Sequence, residues 1–295
     1  MALLPGGKTK WGSADLVLLL FLAATVLLLM SRIEDGLAYR WNWAAIPQYF
    51  FYLDEVTGSF VPNMLIQGLL TTVRLSIWSL LFALPLGIIV GLLRISPHLF
   101  QRLVGGSFVA LFRNLPPLVL IFIGYFFISD QILPLLELPE RVRQLPSSGL
   151  SWLRFLLAPV DQLEAFLAAV MTMALLEGAY IAEIVRAGLQ AVAKGQWEAG
   201  AALGMRRWQI LRQIIFPQAL RPMVPPLAGQ FISTIKDSAI VSVISIQELT
   251  FQGMELMAAT YLTFEIWICI ALLYFLLTFG CSLLARRLES SLAHR

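Results

Sequence analysis

Charged residues are scarce in this chain of 295 residues. Aspartate, glutamate, lysine and arginine together make up 13% of it, whereas hydrophobic residues make up 59%. Soluble domains carry roughly a quarter charged residues and about half apolar ones. The imbalance excludes an ordinary soluble protein and predicts an integral membrane protein.

Cysteine and histidine are almost absent. Cys269 and Cys281 lie in one apolar run, and His98 and His294 are far apart in the sequence. This set supplies neither a disulfide framework nor the usual ligands of a zinc site. The net charge is only +3. We therefore predict no metal, no cofactor and no nucleic-acid partner for this chain.

A complete phosphate-binding loop is also missing. The stretch PGGKT at residues 5–9 resembles the end of such a loop, but Ala2 stands where its first glycine is required. No strand precedes the stretch to present it. The sequence therefore predicts that this chain is not an enzyme and does not bind ATP, which a partner would have to hydrolyse.

Long apolar runs, by contrast, are abundant. A helix needs about 20 mostly apolar residues to cross the hydrocarbon core of a bilayer. Six segments approach that length: 13–31, 63–92, 104–128, 162–185, 223–246 and 263–285. The first could be read as a secretory signal, but it ends at Arg32 without a small-residue cleavage site, which favours a retained anchor.

Basic residues are distributed unequally between the two ends of these predicted spans. Thirteen fall on the side that holds both termini, and five fall on the other side. The positive-inside rule makes the first side cytoplasmic. The thirteen are Lys8, Lys10, Arg94, Arg102, Arg186, Lys194, Arg206, Arg207, Arg212, Arg221, Arg286, Arg287 and Arg295; the five are Arg32, Arg40, Arg141, Arg143 and Arg154.

Segments 32–62, 129–161 and 247–262 are then predicted to face outward. They carry most of the acidic residues, namely Asp54, Glu55, Glu137, Glu140 and Glu248 among others. Trp41, Trp43, Tyr49 and Phe50 suit an amphipathic segment at the outer interface. Prolines interrupt 129–161 too often for a long helix.

Six charged residues within or near the spans are candidates for function, because a charge at bilayer depth is costly unless it faces protein or water. They are Arg74, Arg113, Glu177, Glu183, Lys236 and Asp237. Glu183 and Arg186 have the spacing of a helical ion pair, which favours a structural role. Lys236 and Asp237 point about 100° apart on a helix, so each needs a partner elsewhere.

Two of these positions leave alternatives open. Arg113 precedes Pro116 and Pro117, which break the helix; it suits contact with the carboxylate of a ligand, helix packing or contact with a lipid headgroup. Arg74 suits a pore or an interhelical contact. Glu177, Tyr180 and Glu183 form a polar stripe, although small neighbours on the same helix also suit close packing.

A polar insert, GQWEAGAALGMRRWQILRQIIFP, occupies residues 195–217 between apolar spans. Gly195 is predicted to cap a short helix with Glu198 in its first turn. Gly204 is suited to end that helix in a left-handed conformation, and a second helix follows from Met205 until Pro217 stops it. Such a helix-turn-helix could simply lie in the membrane interface.

The insert resembles the EAA loop of permease subunits of ATP-binding-cassette (ABC) importers. The spacing of that loop is matched by Glu198, Ala199, Gly200, Gly204 and Pro217. Two positions differ from it in residue type, Gly200 and Phe216. In that family the short helix docks into a groove of an ATPase subunit. The resemblance implies a coupling element made by Glu198, Ala199, Gly200, Ala201, Leu203, Gly204, Arg207 and Pro217.

Three further stretches resemble permeases for polar amino acids of the histidine, glutamate, glutamine and arginine type. They are residues 177–204, 112–122 and 235–250, and the resemblance covers about residues 60–285. It implies an all-α membrane protein with six transmembrane helices, comprising a five-helix type I importer core, an N-terminal helix and a cytoplasmic coupling helix. The implied domains are 1–59, an anchor with an external amphipathic segment, and 60–290, the permease domain.

The resemblance also implies the assembly and its mechanism. The complex would lie in a bacterial inner membrane and work by alternating access. It would contain a second permease, identical or homologous, two ABC ATPases that bind ATP and magnesium, and an external solute-binding protein. Alternatives are a channel or secondary transporter, an importer subunit for a sulfonate or phosphonate, and a purely structural membrane subunit. Secondary transporters commonly contain internal repeats, and none is evident here.

Overall fold

The computed structural model describes residues 13–36, 39–55, 58–136, 142 and 146–293. The PGGKT stretch and Lys8, Lys10, Glu137, Glu140, Arg141, Arg143, His294 and Arg295 lie outside the described residues. Two compact units are distinguished, residues 1–42 and 43–295. The expected domain boundary between residues 59 and 60 stays a prediction.

Helices dominate both units. The first unit contains α1 (Ser13–Gly36). The second contains α2 (Met64–Arg94), α3 (Leu99–Asn114), α4 (Pro117–Phe127), α5 (Ser147–Leu156), α6 (Leu163–Ala191), α7 (Lys194–Ala202), α8 (Arg207–Ile210), α9 (Phe216–Asp237), α10 (Leu249–Thr260) and α11 (Thr263–Ala293). The predicted all-α membrane fold is confirmed.

Five helical segments in the described part are long and apolar enough to cross a membrane. They are Met64–Arg94, Pro117–Leu135, Val160–Ala191, Arg207–Ile244 and Thr263–Arg287. In α1, the stretch Asp15–Thr25 is a shorter apolar helix. The core of five spans is therefore present, and the total of six remains a prediction.

The third predicted span, 104–128, is wrong in its bounds because the chain breaks inside it. Leu115 has an extended backbone with ψ 147°, and Pro116 follows with ψ 130°. A proline disfavours helical geometry in the residue before it, and two consecutive prolines impose this on both Leu115 and Pro116. The segment therefore divides into α3 and α4, and Arg113 lies in the last turn of α3.

The most extensive packing in the second unit joins α2 to α6. Gly87 and Gly91, one turn apart on α2, lie against α6. A β-carbon on Gly87 would lie 2.5 Å from Ile181 Cγ2 and 3.0 Å from the Gly178 carbonyl oxygen. Small residues at this spacing let membrane helices approach closely. The short distance between the two helices brings the polar side chains of α6 close to the C-terminal end of α2.

Gly87→Val is therefore expected to destabilise the chain by about 1–3 kcal/mol, the usual effect of overpacking a tight contact. Gly106→Val in α3 is the matched control, because a β-carbon there would meet nothing within 4 Å. The measurement is the midpoint of thermal unfolding in detergent. Equal midpoints for the two variants would contradict the close α2–α6 contact.

A small β-hairpin precedes α2 and was not predicted. Phe51–Leu53 (β1) pairs antiparallel with Phe60–Pro62 (β2), with Tyr52 opposite Val61. Two short 3₁₀-helices, Trp43–Ala45 and Pro47–Tyr49, lead into it. Aromatic and β-branched residues favour such pairing, here Phe51, Tyr52, Phe60 and Val61, and the amphipathic interpretation of this segment overlooked it.

The segment 129–161 is broken as expected. A π-helical turn (Ile128–Ile132) and a 3₁₀-helix (Leu133–Leu136) follow α4, and the 3₁₀-helix Val160–Gln162 leads into α6. The helix α5 lies between the two 3₁₀-helices. None of them is longer than ten residues.

Glu248, in a segment predicted to lie on the outer side of the membrane, is buried among helices, and its side of the membrane stays a prediction. Its side chain is 0% exposed and caps α10 by accepting a hydrogen bond from the Phe251 amide at 2.8 Å. Tyr274 Oη on α11 donates to the same carboxylate at 2.7 Å, and Thr72 Oγ1 on α2 lies 3.3 Å from it. Since buried polar groups need partners, this capping carboxylate joins three helices.

Candidate functional site

The polar insert forms a short helix, α7, followed by a tight turn. The helix begins at Lys194 after the capping position Ala193, so the predicted cap at Gly195 is wrong. Glu198 consequently lies beyond the first turn. The extended backbone of Ala193 starts the helix without a side-chain cap, which sequence preferences alone did not indicate.

The predicted left-handed turn at Gly204 is confirmed. Its φ is +75°, and its amide donates to the Ala201 carbonyl at 3.0 Å. A glycine adopts this conformation without the steric penalty of a β-carbon. Leu203 lies at the tip of the turn with 79% of its surface exposed. The next helix starts at Arg207, two residues later than predicted.

Pro217 does not stop the second helix, contrary to expectation. A π-helical turn, Leu211–Ile215, joins α8 to α9, and Pro217 lies in the first turn of α9. A wider turn shifts the backbone hydrogen bonds, so the amide that proline lacks is not needed there. The chain therefore continues from the insert into the fourth span as one helical path.

Three contacts connect α7 to the spans. A β-carbon on Gly200 would lie 2.8 Å from Ile210 Cγ1, so this departure from the EAA pattern permits close packing. Gln218 Nε2 lies 3.2 Å from Gln196 Oε1. Arg207 donates to the Ile95 carbonyl at 3.2 Å and lies over the Trp197 ring at 5.4 Å. Displacement of α7 would therefore pull on both α2 and α9.

A second polar cluster surrounds Glu183 on α6. Its carboxylate forms ion pairs with Arg94 and with Arg186, and Arg113 Nη1 lies 3.7 Å away. The predicted Glu183–Arg186 pair is confirmed. A cavity of about 320 Å³ beside it is lined by Arg94, Arg113, Asn114 and Glu183 among others.

The predicted polar stripe on α6 is divided between different partners. Arg113 lies over the Tyr180 ring, 5.4 Å from its centroid. Glu177 is 0% exposed and accepts a hydrogen bond from Gln230 Nε2 of α9 at 2.6 Å, while its Oε1 has no hydrogen-bond partner in the structure. Tyr180, which contacts Arg113, thus lies one helical turn from Glu177, which is bound by the amide of Gln230.

The remaining candidates lie apart from this cluster. Arg74 is partly buried on α2, Lys236 is exposed near the end of α9, and Asp237 is partly buried. The different burial of Lys236 and Asp237 agrees with the prediction that these two neighbours do not face each other.

Sequence reasoning missed two residues of these sites. Arg94 was counted only as a cytoplasmic charge, although it ends α2 and forms an ion pair with Glu183. Gln230 was not noted, although an amide within an apolar span was a usable signal. Both contacts cross between helices, which spacing along one helix does not reveal.

The sequence of this chain is similar to those of known transport proteins. Residues 83–294 match the family described as binding-protein-dependent transport system inner membrane component. The chain is 34% identical over 226 residues to the glutamine transport system permease protein GlnP of Escherichia coli (strain K12), covering 77% of this chain and 91% of that protein. It is 31% identical over 233 residues to the probable glutamine ABC transporter permease protein GlnM of Bacillus subtilis (strain 168), covering 78% and 95%.

Two solved structures are similar as well. A crystal structure of an amino acid ABC transporter with histidines has a TM-score of 0.60 at 32% identity, covering 77% of this chain and 94% of that one. An inward-facing MetNI methionine ABC transporter has a TM-score of 0.51 at 18% identity, covering 76% and 95%, a likeness of fold alone. The chain therefore belongs to the family of inner membrane components of binding-protein-dependent transport systems and is a permease subunit with the type I ABC importer fold.

Proposed function

We propose that this permease subunit imports a polar amino acid. The similarity to two glutamine permeases and to an amino acid ABC transporter supports this substrate class. Two permease subunits, identical or homologous, would enclose the path. An external binding protein would deliver the amino acid, and lipid would surround the spans.

The exposed tip of α7 is the observation that carries the proposed coupling to an ATPase. Glu198, Ala199, Ala201, Leu203 and Gly204 are all exposed, whereas Gly200 is buried against the rest of the chain. One face of a short helix is thus anchored while the other presents small side chains and an exposed leucine. Such a face suits docking into a groove, since small residues permit close approach.

In this mechanism an ATPase subunit binds the exposed face of α7. Closure of the ATPases on ATP moves α7, and Arg207, the Gly200–Ile210 contact and the continuous path through Pro217 transmit the movement to α2 and α9. The population then shifts from an inward-open to an outward-open state, and hydrolysis resets it. ATP and magnesium belong to the partners, and the permease itself catalyses no reaction and binds no cofactor.

Along the path we propose contacts from Arg74, Arg113, Glu177, Tyr180, Lys236 and Asp237, and an indirect role for the seventh candidate, Glu183. An amino acid carries both a carboxylate and an ammonium group. The guanidinium of Arg113 suits the first, because it lies beside a cavity and 40% of its side chain is exposed. Glu183 is already paired with two arginines, so its role is to hold them in place.

We also propose that both termini are cytoplasmic in a bacterial inner membrane. The unequal distribution of the thirteen and five basic residues supports this orientation. The family description, an inner membrane component, agrees with the compartment. The tip of α7 would then face the cytoplasm, where the ATPases reside.

Uptake in proteoliposomes tests this function. With ATPase and binding protein present, we expect ATP-dependent accumulation of a polar amino acid such as glutamine, and none without either partner. Transport by this chain alone down an ion gradient would establish a secondary transporter or channel instead. ATP-dependent uptake of a sulfonate or phosphonate, with none of any amino acid, would contradict the substrate class alone.

A further inference from the structure

A basic cavity of about 430 Å³ lies where α2 and α6 end and where α3 and α7 begin. Four of the described residues that line it are basic, and none is acidic: Arg94, Arg102, Lys194 and Arg207. The exposed tip at Leu203 and Gly204, where an ATPase is proposed to dock, is not part of its lining, whereas Arg207 belongs both to the cavity and to the proposed path of transmission.

The positive charge of this cavity is poorly balanced. Arg94 pairs with Glu183, but the same carboxylate also pairs with Arg186 and lies 3.7 Å from Arg113. Arg102 and Lys194 are exposed. Since like charges gathered at one place repel, an anion entering the cavity would stabilise this arrangement.

Arg207 contributes an available cation as well. Its guanidinium is held by the Ile95 carbonyl and the Trp197 ring. A carbonyl and an aromatic ring orient the group without neutralising it. Guanidinium groups present several N–H donors in one plane and bind phosphate oxygens well.

An apolar groove adjoins the basic cavity. It has a volume of about 370 Å³ and shares Ile95, Ser96, Trp197 and Arg207 with the cavity. Its other lining includes Leu92, Leu93, Trp208 and Leu211. Trp208 is 62% exposed, and Leu99 and Phe100 at the start of α3 are 62% and 77% exposed. The combined site is therefore basic at one end and apolar at the other.

The position along the spans agrees with the depth of a lipid headgroup. Two of the candidate membrane spans end at Arg94 and Ala191, beside the cavity. Tryptophan is enriched at the boundary between membrane and water. Basic pockets between membrane helices at this depth bind phosphate headgroups.

We propose that the basic cavity binds the headgroup phosphate of an anionic phospholipid, with the acyl chains along the apolar groove. A free phosphate ion would satisfy the four cations but would leave the groove unoccupied. The bound headgroup bridges the α2–α3 turn and the N-terminal turn of α7. Its binding is independent of the proposed transport function, and only its effect on coupling depends on that function.

Lipid binding to the purified permease–ATPase complex tests this proposal by native mass spectrometry with added phosphatidylglycerol or phosphatidylcholine. We expect phosphatidylglycerol to bind in preference to phosphatidylcholine. The Arg102→Gln/Lys194→Gln variant should weaken phosphatidylglycerol binding about 30-fold, with roughly equal contributions from the two lost charges. Arg221→Gln/Arg286→Gln removes the same charge from exposed positions outside the cavity and should bind as the wild type does.

Each other outcome is decisive. Equal weakening in both double variants would mean nonspecific charge attraction and would overturn the site. Full competition by millimolar inorganic phosphate would assign the cavity to free phosphate. Should the first double variant not assemble, Arg102→Gln and Lys194→Gln alone are each expected to weaken binding about fivefold. Preferential lipid binding without any ATP-dependent uptake would retain this site while rejecting the transport function.

Discussion

Gly204→Asp is expected to abolish ATP-driven uptake while the chain remains folded and inserted. A β-carbon on Gly204 would meet nothing within 4 Å, and the left-handed φ of +75° adds strain of only about 1–2 kcal/mol. The introduced charge would lie at the proposed ATPase interface. Burying an uncompensated charge costs about 3–5 kcal/mol, which weakens docking by about 100-fold or more.

Gly58→Asp is the matched control for this experiment. Gly58 also has a positive φ, +63°, and a β-carbon added there would likewise meet no atom within 4 Å. It lies in the hairpin before α2, outside the α7 segment. Co-purification with the ATPase and ATP hydrolysis by the complex are the measurements. Equal loss in both variants would show that backbone strain, and not the α7 interface, causes the defect.

Glu183→Gln is expected to destabilise the permease by about 2–4 kcal/mol. The substitution leaves Arg94, Arg186 and Arg113 without their shared carboxylate. Removing one partner of a fully buried ion pair costs about 3–5 kcal/mol, and the partial exposure of these side chains, from 21% to 40%, reduces the effect. The midpoint of thermal unfolding in detergent, without substrate, measures it.

Two comparisons separate this effect from a general loss of charge. Glu164→Gln removes a carboxylate from the first turn of the same helix, outside the cluster, and should change the midpoint little. Glu183→Asp keeps the charge and should restore part of the stability. If Glu183→Gln leaves stability unchanged but raises the KM for uptake, the carboxylate contacts substrate instead of holding the arginines.

The corrections to the sequence predictions arise mainly at helix ends. Gly195 and Pro217 have strong local preferences, yet α7 begins at Lys194 and the second helix runs past Pro217 through a π-helical turn. Local preferences are small compared with the packing of adjacent helices. At Leu115 the local sequence prevailed over packing, because two consecutive prolines impose a steric restriction that packing does not remove.

The sequence by itself determined the membrane character, the approximate positions of most spans, and the left-handed turn at Gly204. Hydropathy, proline sterics and glycine conformation act within a few residues, so a single chain segment displays them. Only the tertiary structure decided that Arg94 meets Glu183 across 89 residues and that Gln230 meets Glu177 across 53. These pairings depend on how α2 and α9 pack on α6, since residues distant in sequence become neighbours only when the helices pack.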